Sequence, residues 1–417
     1  MAQRILVYAD WHGLPATIQI GTLTADVVRG RETFSFAYTR EWLQSGFAPM
    51  LDPDLQLYDG PQYLNDAKPN FGMFLDSSPD RWGRVLMRRR EAILARQGQR
   101  PVVTLHEPDF LLGVHDSARM GGLRFKQSQD GGFLSHATEL AAPPWVALRD
   151  LEYASLRLED ENMAAGEELR WLNMLMAPGS SLGGARPKAS VTDPNGNLWI
   201  AKFPSANDEY DNGAWEMVIH DLAIATGINV APAQLHHFTG RHHTFLSQRF
   251  DRVNGNDRIH FASAMTLLGR QDGADFNSGT SYLDLVGFIV QNGRQVKDNL
   301  RQLWVRIVFN ILVKNTDDHL RNHGFLLQAD GWELSPAYDI NPNPHGNGLT
   351  LNISEDDNSL DIELALSVAK HFRLKNQEAE LILNNIRKVV AGWPVLATKY
   401  RLSRREQENM SIAFNGA

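Results

Sequence analysis

Asn315-Thr316-Asp317-Asp318-His319-Leu320-Arg321-Asn322-His323-Gly324-Phe325-Leu326-Leu327 is the stretch on which the reading of this chain turns. It follows an apolar run from Leu303 to Val313 and precedes an apolar triplet, so the pattern predicts a polar loop rising between a helix and a strand. Further on, Leu334-Ser335-Pro336-Ala337-Tyr338-Asp339-Ile340 puts another acidic residue just past a short strand. Carboxylates and an amide carbonyl are hard oxygen donors, suited to Mg²⁺ and to taking a proton from a hydroxyl. Polar loops also carry Asp, Asn and His simply because they are wet. The loop by itself leaves both readings open.

Upstream features tilt the balance. An Asp, an Asn five residues on and a second Asp some twenty residues later is the set protein kinases use for phosphoryl transfer, and Asp317, Asn322 and Asp339 fit it. Before them, Gly179-Ser180-Ser181-Leu182-Gly183-Gly184-Ala185-Arg186-Pro187-Lys188 is a small-residue loop whose amides suit phosphate oxygens, although it is no Walker sequence and a plain surface turn explains it as well. Lys202 ends a predicted strand among Trp199, Ile200 and Phe203, and Glu216 on the next predicted helix is the acid to pair with it. Each residue alone has a bland explanation, as a strand-end lysine or a helix-surface glutamate. Loop, lysine, glutamate, Asp, Asn and Asp nevertheless follow in the order phosphoryl transfer requires.

The rest of the 417 residues supplies the frame. Apolar residues are 43% and charged residues 22%, which allows a sizeable core and excludes wholesale disorder. A net charge of −8 argues against a general polyanion binder, and the absence of cysteine excludes disulfides, thiolate metal sites and thiol nucleophiles. No apolar stretch is long enough for a membrane span and the start is unlike a signal peptide, so a cytoplasmic multidomain protein is expected. Residues 1–150 alternate in a strand-like way at Ile5–Tyr8, Thr17–Leu23 and Thr33–Tyr38, with loops over Pro49–Asn70 and a helix starting near Ser78 or Asp80. Residues 151–255 read as strand-like with one helix, Gly213–Thr226, and a hairpin at Asp193-Pro194-Asn195-Gly196. Residues 256–417 are mainly helical. The expected class is α+β, two-lobed and protein-kinase-like, with a β-rich N-terminal subdomain and a helical C-terminal lobe.

At this point the chain resembles the HipA-type serine/threonine kinases, toxins of bacterial toxin–antitoxin modules. The resemblance rests on Ser181–Lys188, Ala201-Lys202-Phe203-Pro204, Gln248–Arg252, Thr316–Asn322 and Ala337–Ile340. It extends to Phe74–Gly83 and Asp109–Val114, and so covers most of the chain. It implies ATP and Mg²⁺ as cofactors, Asp317 as the catalytic aspartate, and Asn322 and Asp339 as metal ligands. Lys202 would contact the nucleotide phosphates, with Glu216 its ion-pair partner. Gln248 and Phe250 would form the adenine hinge through their backbone, and Gly183, Gly184 and Lys188 belong to the phosphate-side loop. Ser181 aligns with a regulatory serine whose autophosphorylation ejects that loop by charge repulsion, and Ser180 is a neighbouring alternative. The implied partners are a HipB-like helix-turn-helix antitoxin, DNA only through that antitoxin, and a protein substrate of the aminoacyl-tRNA synthetase class. Asp318 stands where glycine is frequent and Arg321 where lysine is common, and the extra carboxylate bears on metal affinity or substrate choice.

Other signals are set aside. His236, His237, His242 and His243 form an irregular set for zinc, and packing across a hairpin explains them better. Arginines from Arg81 to Arg100 are spread around a helix, which favours a solvated face over contact with DNA phosphates. Two alternative functions share the same residues: a catalytically silent kinase-fold corepressor or scaffold in an antitoxin–DNA complex, and a kinase for small molecules.

Overall fold

Alternation of apolar and polar residues at the N-terminus builds a five-stranded antiparallel sheet, in the order Pro61–Tyr63, Arg31–Tyr38, Ile18–Val28, Gln3–Ala9, Leu123–Lys126. Register pairs Ile5 with Leu23, Leu23 with Phe36 and Val7 with Phe125, so one face carries the core. Gly21 lies at the irregularity of this sheet, where a Cβ would meet the Phe36 ring at 2.3 Å. The computed structural model describes residues 2–28, 31–65, 68–135, 141–159, 165–176, 186–238, 240–255 and 257–416. These divide into two units: residues 1–206 with 251–262, and residues 207–250 with 263–417. Among the described residues no helix is long and apolar enough to cross a membrane.

In the first unit the expected helix spans Arg81–Gln97, with Asp80 as its cap accepting from Gly83 N at 2.8 Å. Two expectations need correction. The stretch expected to be all loop contains the strand Pro61–Tyr63, an edge strand whose first residue is proline, where no ladder donor is required. Residues after 150 also hold more helix than expected, in Leu148–Leu158 and Ala165–Met176. Leu148, Leu151, Ser155 and Leu158 are buried at spacings of three and four, the helical period. The hairpin Lys188–Thr192 with Leu198–Lys202 is as expected, with Asp193 accepting from the amides of Asn195 and Asn197 and Gly196 at φ +83°. Asp251–Ala262 is fastened to this unit by Gly121 N donating to Asp251 Oδ2 at 2.8 Å. Arg258 Nη2 adds a bond to Asp116 O at 2.6 Å. Burial pushes the Arg258 guanidinium down to about 10.

The second unit is mainly helical. Asn212–Thr226 ends at Gly227, whose φ of +84° needs no Cβ strain. The strands Ala233–His236 and Thr244–Gln248 pair antiparallel. Tyr282–Asn292 and Val296–Val313 follow, then the hairpin Gly324–Gln328 with Gly331–Leu334 and the helices Ile362–Val368, Asn376–Val390, Trp393–Lys399 and Arg404–Met410. The α+β class is as the sequence predicts.

Candidate active site

The support for the polar loop is the last half of Val296–Val313, where Val305, Ile307, Val308, Phe309, Ile311, Leu312 and Val313 are all buried. Two polar residues share that burial. Arg306 Nη2 donates to Ser335 O at 2.6 Å, and burial pushes its guanidinium down to about 10. Asn310 accepts from Asn315 Nδ2 on its Oδ1 (3.1 Å) and donates from Nδ2 to Asp318 Oδ2 (2.6 Å). Lys314 stops the helix in a left-handed conformation, φ +48°.

The loop then separates its two aspartates. Asp317 is exposed, whereas Asp318 is buried. Asp318 Oδ2 accepts from Tyr282 Oη at 2.6 Å, Asn310 Nδ2 at 2.6 Å and His323 Nε2 at 2.9 Å. Burial alone would raise this carboxyl, but the His323 and Tyr282 contacts hold it below its ordinary value. Tyr282, fully buried beside that carboxylate, is pushed well up. The expected bearing of Asp318 on metal or substrate gives way to a buried role, because this oxygen is already taken by three donors.

Asn322 closes a short 3-10 turn and donates from Nδ2 to Asp317 O at 2.8 Å. Its Oδ1 is buried and has no hydrogen-bond partner. The Asp339 segment is drawn to the same loop. Tyr338 Oη donates to Arg321 O at 2.7 Å, Asn341 N to Asn315 Oδ1 at 3.3 Å, and Asn343 N to Lys314 O at 3.0 Å. Asp339 itself is half-buried at φ +57°, a strained conformation for a residue with a side chain, and Asn341 Nδ2 donates to its Oδ1 at 3.3 Å. The Phe250 ring lies 5.5 Å from that of Tyr338. Asp317, Asn322, Asp339 and Phe250 therefore belong to one connected neighbourhood.

The orphaned oxygen of Asn322 tests the fit of a magnesium ion. A buried carbonyl oxygen without a donor is costly unless something electropositive meets it. Among the described residues no group of three or more His, Asp or Glu side chains is arranged to hold a metal. An ion held by Asn322 and Asp339 would thus be completed by water and phosphate oxygens, the habit of Mg²⁺. The donor set fits.

The remaining expected residues are spread over both units. Glu216 is buried on Asn212–Thr226, whose cap Asp211 accepts from Ala214 N and His243 Nδ1. Gln248 ends its strand with its backbone N donating to Pro232 O at 2.9 Å. Lys202, half-buried, stands opposite Lys188 in the first unit's hairpin. Lys188 is buried, its Nζ 2.6 Å from Asp80 Oδ2, so it anchors the strand that follows the small-residue loop. Ser180, Ser181, Gly183 and Gly184 lie outside the described residues.

Sequence reading missed Tyr282, Asn310 and Asn315 as parts of this site. Asn310 gave a signal, being a polar residue inside the apolar run Ile307–Val313; Tyr282, 36 residues from Asp318, gave none. The histidines are engaged by packing and by separate partners: His237 lies edge-on to His243, ring centroids 4.9 Å apart, His243 also meets Asp211, His242 Nε2 is at Asp208 O (3.2 Å) and His236 stacks on Phe238. Several arginines of Arg81–Gln97 are used internally. Arg84 binds Glu107 with both Nη atoms, Arg89 reaches Leu158 O, and Arg90 Nε donates to Asn173 Oδ1 at 3.0 Å.

Comparison with known proteins places this geometry. The model of the HipA-like C-terminal domain matches residues 180–393, just over half of the chain. A serine/threonine-protein kinase toxin HipA from Shewanella oneidensis is 26% identical over 358 residues, spanning 78% of this chain and 72% of that protein. A solved structure of HipA with HipB and its operator DNA, from the same organism, superposes with a TM-score of 0.65. It covers 98% of this chain and 94% of that one at 20% identity, which is a likeness of fold.

Proposed function

Because the chain belongs to the HipA-like C-terminal domain family, we propose that it is an ATP- and Mg²⁺-dependent serine/threonine protein kinase that arrests growth as a toxin. The observation that carries the reading is the exposed Asp317 on a loop that also presents the orphaned Oδ1 of Asn322 and is tied to the Asp339 segment. Bound Mg-ATP would supply the transferable phosphoryl group with its charge partly neutralised. Asp317 would orient the substrate hydroxyl and take up its proton as the oxygen attacks. Asn322 and Asp339 would hold the metal through oxygen. Lys202 would give its ammonium to the nucleotide phosphates with Glu216 orienting it, and Gln248 and Phe250 would offer backbone groups to the adenine.

Regulation follows from the same reading. Autophosphorylation at Ser181 or Ser180 would add nearly two negative charges beside the nucleotide phosphates and drive the loop of Gly183 and Gly184 away. A HipB-like helix-turn-helix antitoxin, bound to DNA, would hold the toxin in check, and a protein of the aminoacyl-tRNA synthetase class is the proposed target. The functional partition is 1–150, 151–255 and 256–417, and the site of action the cytoplasm. Phosphosite mapping after brief induction tests this. Wild type should label a protein substrate and residue 180 or 181, and Asp317→Ala neither. Equal labelling by both would reject the assignment of Asp317. No labelling by wild type, with retention on operator DNA, would favour a silent scaffold.

A further inference from the structure

We propose that Asp318 is a positioning residue, whose hydrogen bond to His323 sets the distance between the proposed proton acceptor Asp317 and the proposed metal ligand Asn322. The bond joins the residue after Asp317 to the residue after Asn322, so it closes the loop from behind at 2.9 Å. A second tie closes the front, from Asn322 Nδ2 to Asp317 O at 2.8 Å. Between them the residues 317–322 are clasped on both sides. A carboxylate only accepts, so the Nε2 of His323 carries the proton in this bond.

The Asp318 end of this clasp is also held from outside the loop. Tyr282 comes from Tyr282–Asn292 and Asn310 from Val296–Val313, and both donate to the same Asp318 oxygen that His323 uses. The Tyr282 ring also stands edge-on to the His323 imidazole, 5.7 Å apart at 89°. Two helices thereby fix Asp318, and Asp318 fixes the loop. Its burial of all but 4% removes it from substrate and metal, which is why it acts through its neighbours. Phosphoryl transfer is largely a matter of positioning, and a misplacement of about 1 Å is worth about 10² in rate.

The test rests on the kinase reading and is built to fail separately from it. Asp318→Ala and His323→Leu, each in the full chain, should lower kcat for phosphoryl transfer by about 10² while KM for ATP stays within about threefold. His323→Gln keeps a donor and should recover most of the loss. The double variant Asp318→Ala/His323→Leu should be no slower than either single one, since both remove the same hydrogen bond. Unchanged kcat in the single variants, or multiplied losses in the double, would overturn the proposal. Amide hydrogen exchange gives a reading that needs no turnover: protection should fall in residues 315–323 of the variants and stay elsewhere. If wild type transfers no phosphate, the kinase reading fails, and exchange decides the clasp alone. Unaltered protection of that loop would refute it.

Discussion

His260 and Asp318 show how much a single ionisable side chain owes to where it is placed. His260 is buried and stacked on Trp11, ring centroids 4.8 Å apart, and burial pushes its imidazole down to about 3. Below pH about 6.5 the unfolded chain binds a proton there that the folded one refuses, so stability falls as pH drops from 6.5 toward 3. Asp52, raised to about 6 by burial, has the opposite slope between its ordinary value and pH 6, so the two are separated by difference. Denaturant titrations of wild type and His260→Phe at several pH values should show the variant gaining about 1.4 kcal/mol relative to wild type per unit below 6.5. A pH-independent difference would contradict this. Asp318 illustrates the limit of sequence reading at the same scale. Its type and spacing mark it as one more carboxylate on a polar loop, and only the fold brings Tyr282 and His323 to one of its oxygens.

At the scale of elements, the helix Asn212–Thr226 that carries Glu216 is braced by the end of the chain. Trp393 and Phe414 stack 4.7 Å apart at 14°, and Trp215, next to Glu216, lies 5.9 Å from the one and 6.1 Å from the other. Asp211 N, at the start of the helix, donates to Glu406 Oε1 at 2.9 Å. Phe414→Ala should therefore cost about 3–5 kcal/mol, read as a fall in Tm, since Phe414 and Trp215 are buried and the change empties the space between Trp215 and the half-buried Trp393. An unchanged Tm would mean the brace contributes nothing. Helices with a strong period and a clear stop, such as Asn212–Thr226 before Gly227, were legible in the sequence, as was the Asp193–Gly196 turn. The strand Pro61–Tyr63 was not, because three residues give no period and its pairing with Ser35–Ala37 is a contact across some 25 residues of sequence. Leu148–Leu158 is poorly legible as a helix because its buried face includes Glu152 and Ser155, which interrupt the apolar spacing of three and four.

For the whole molecule, the family match runs from residue 180 to 393 and takes in parts of both units, while the five-stranded sheet of the first unit precedes it. The likeness of fold to HipA extends well beyond that match, over 98% of the chain. What the sequence offered at this scale was order, from the small-residue loop through Lys202 and Glu216 to Asp317, Asn322 and Asp339. What it withheld was the scaffold that makes an exposed Asp317 out of one aspartate and a buried anchor out of the next. The most direct measurement is transfer of label from γ-labelled ATP to protein by the purified full chain, in Mg²⁺ and in EDTA, beside Asp317→Ala. Mg²⁺-dependent labelling by wild type, lost in EDTA and reduced at least about 10³-fold in Asp317→Ala, is the expected result. Labelling by Asp317→Ala at the wild-type rate would contradict the account.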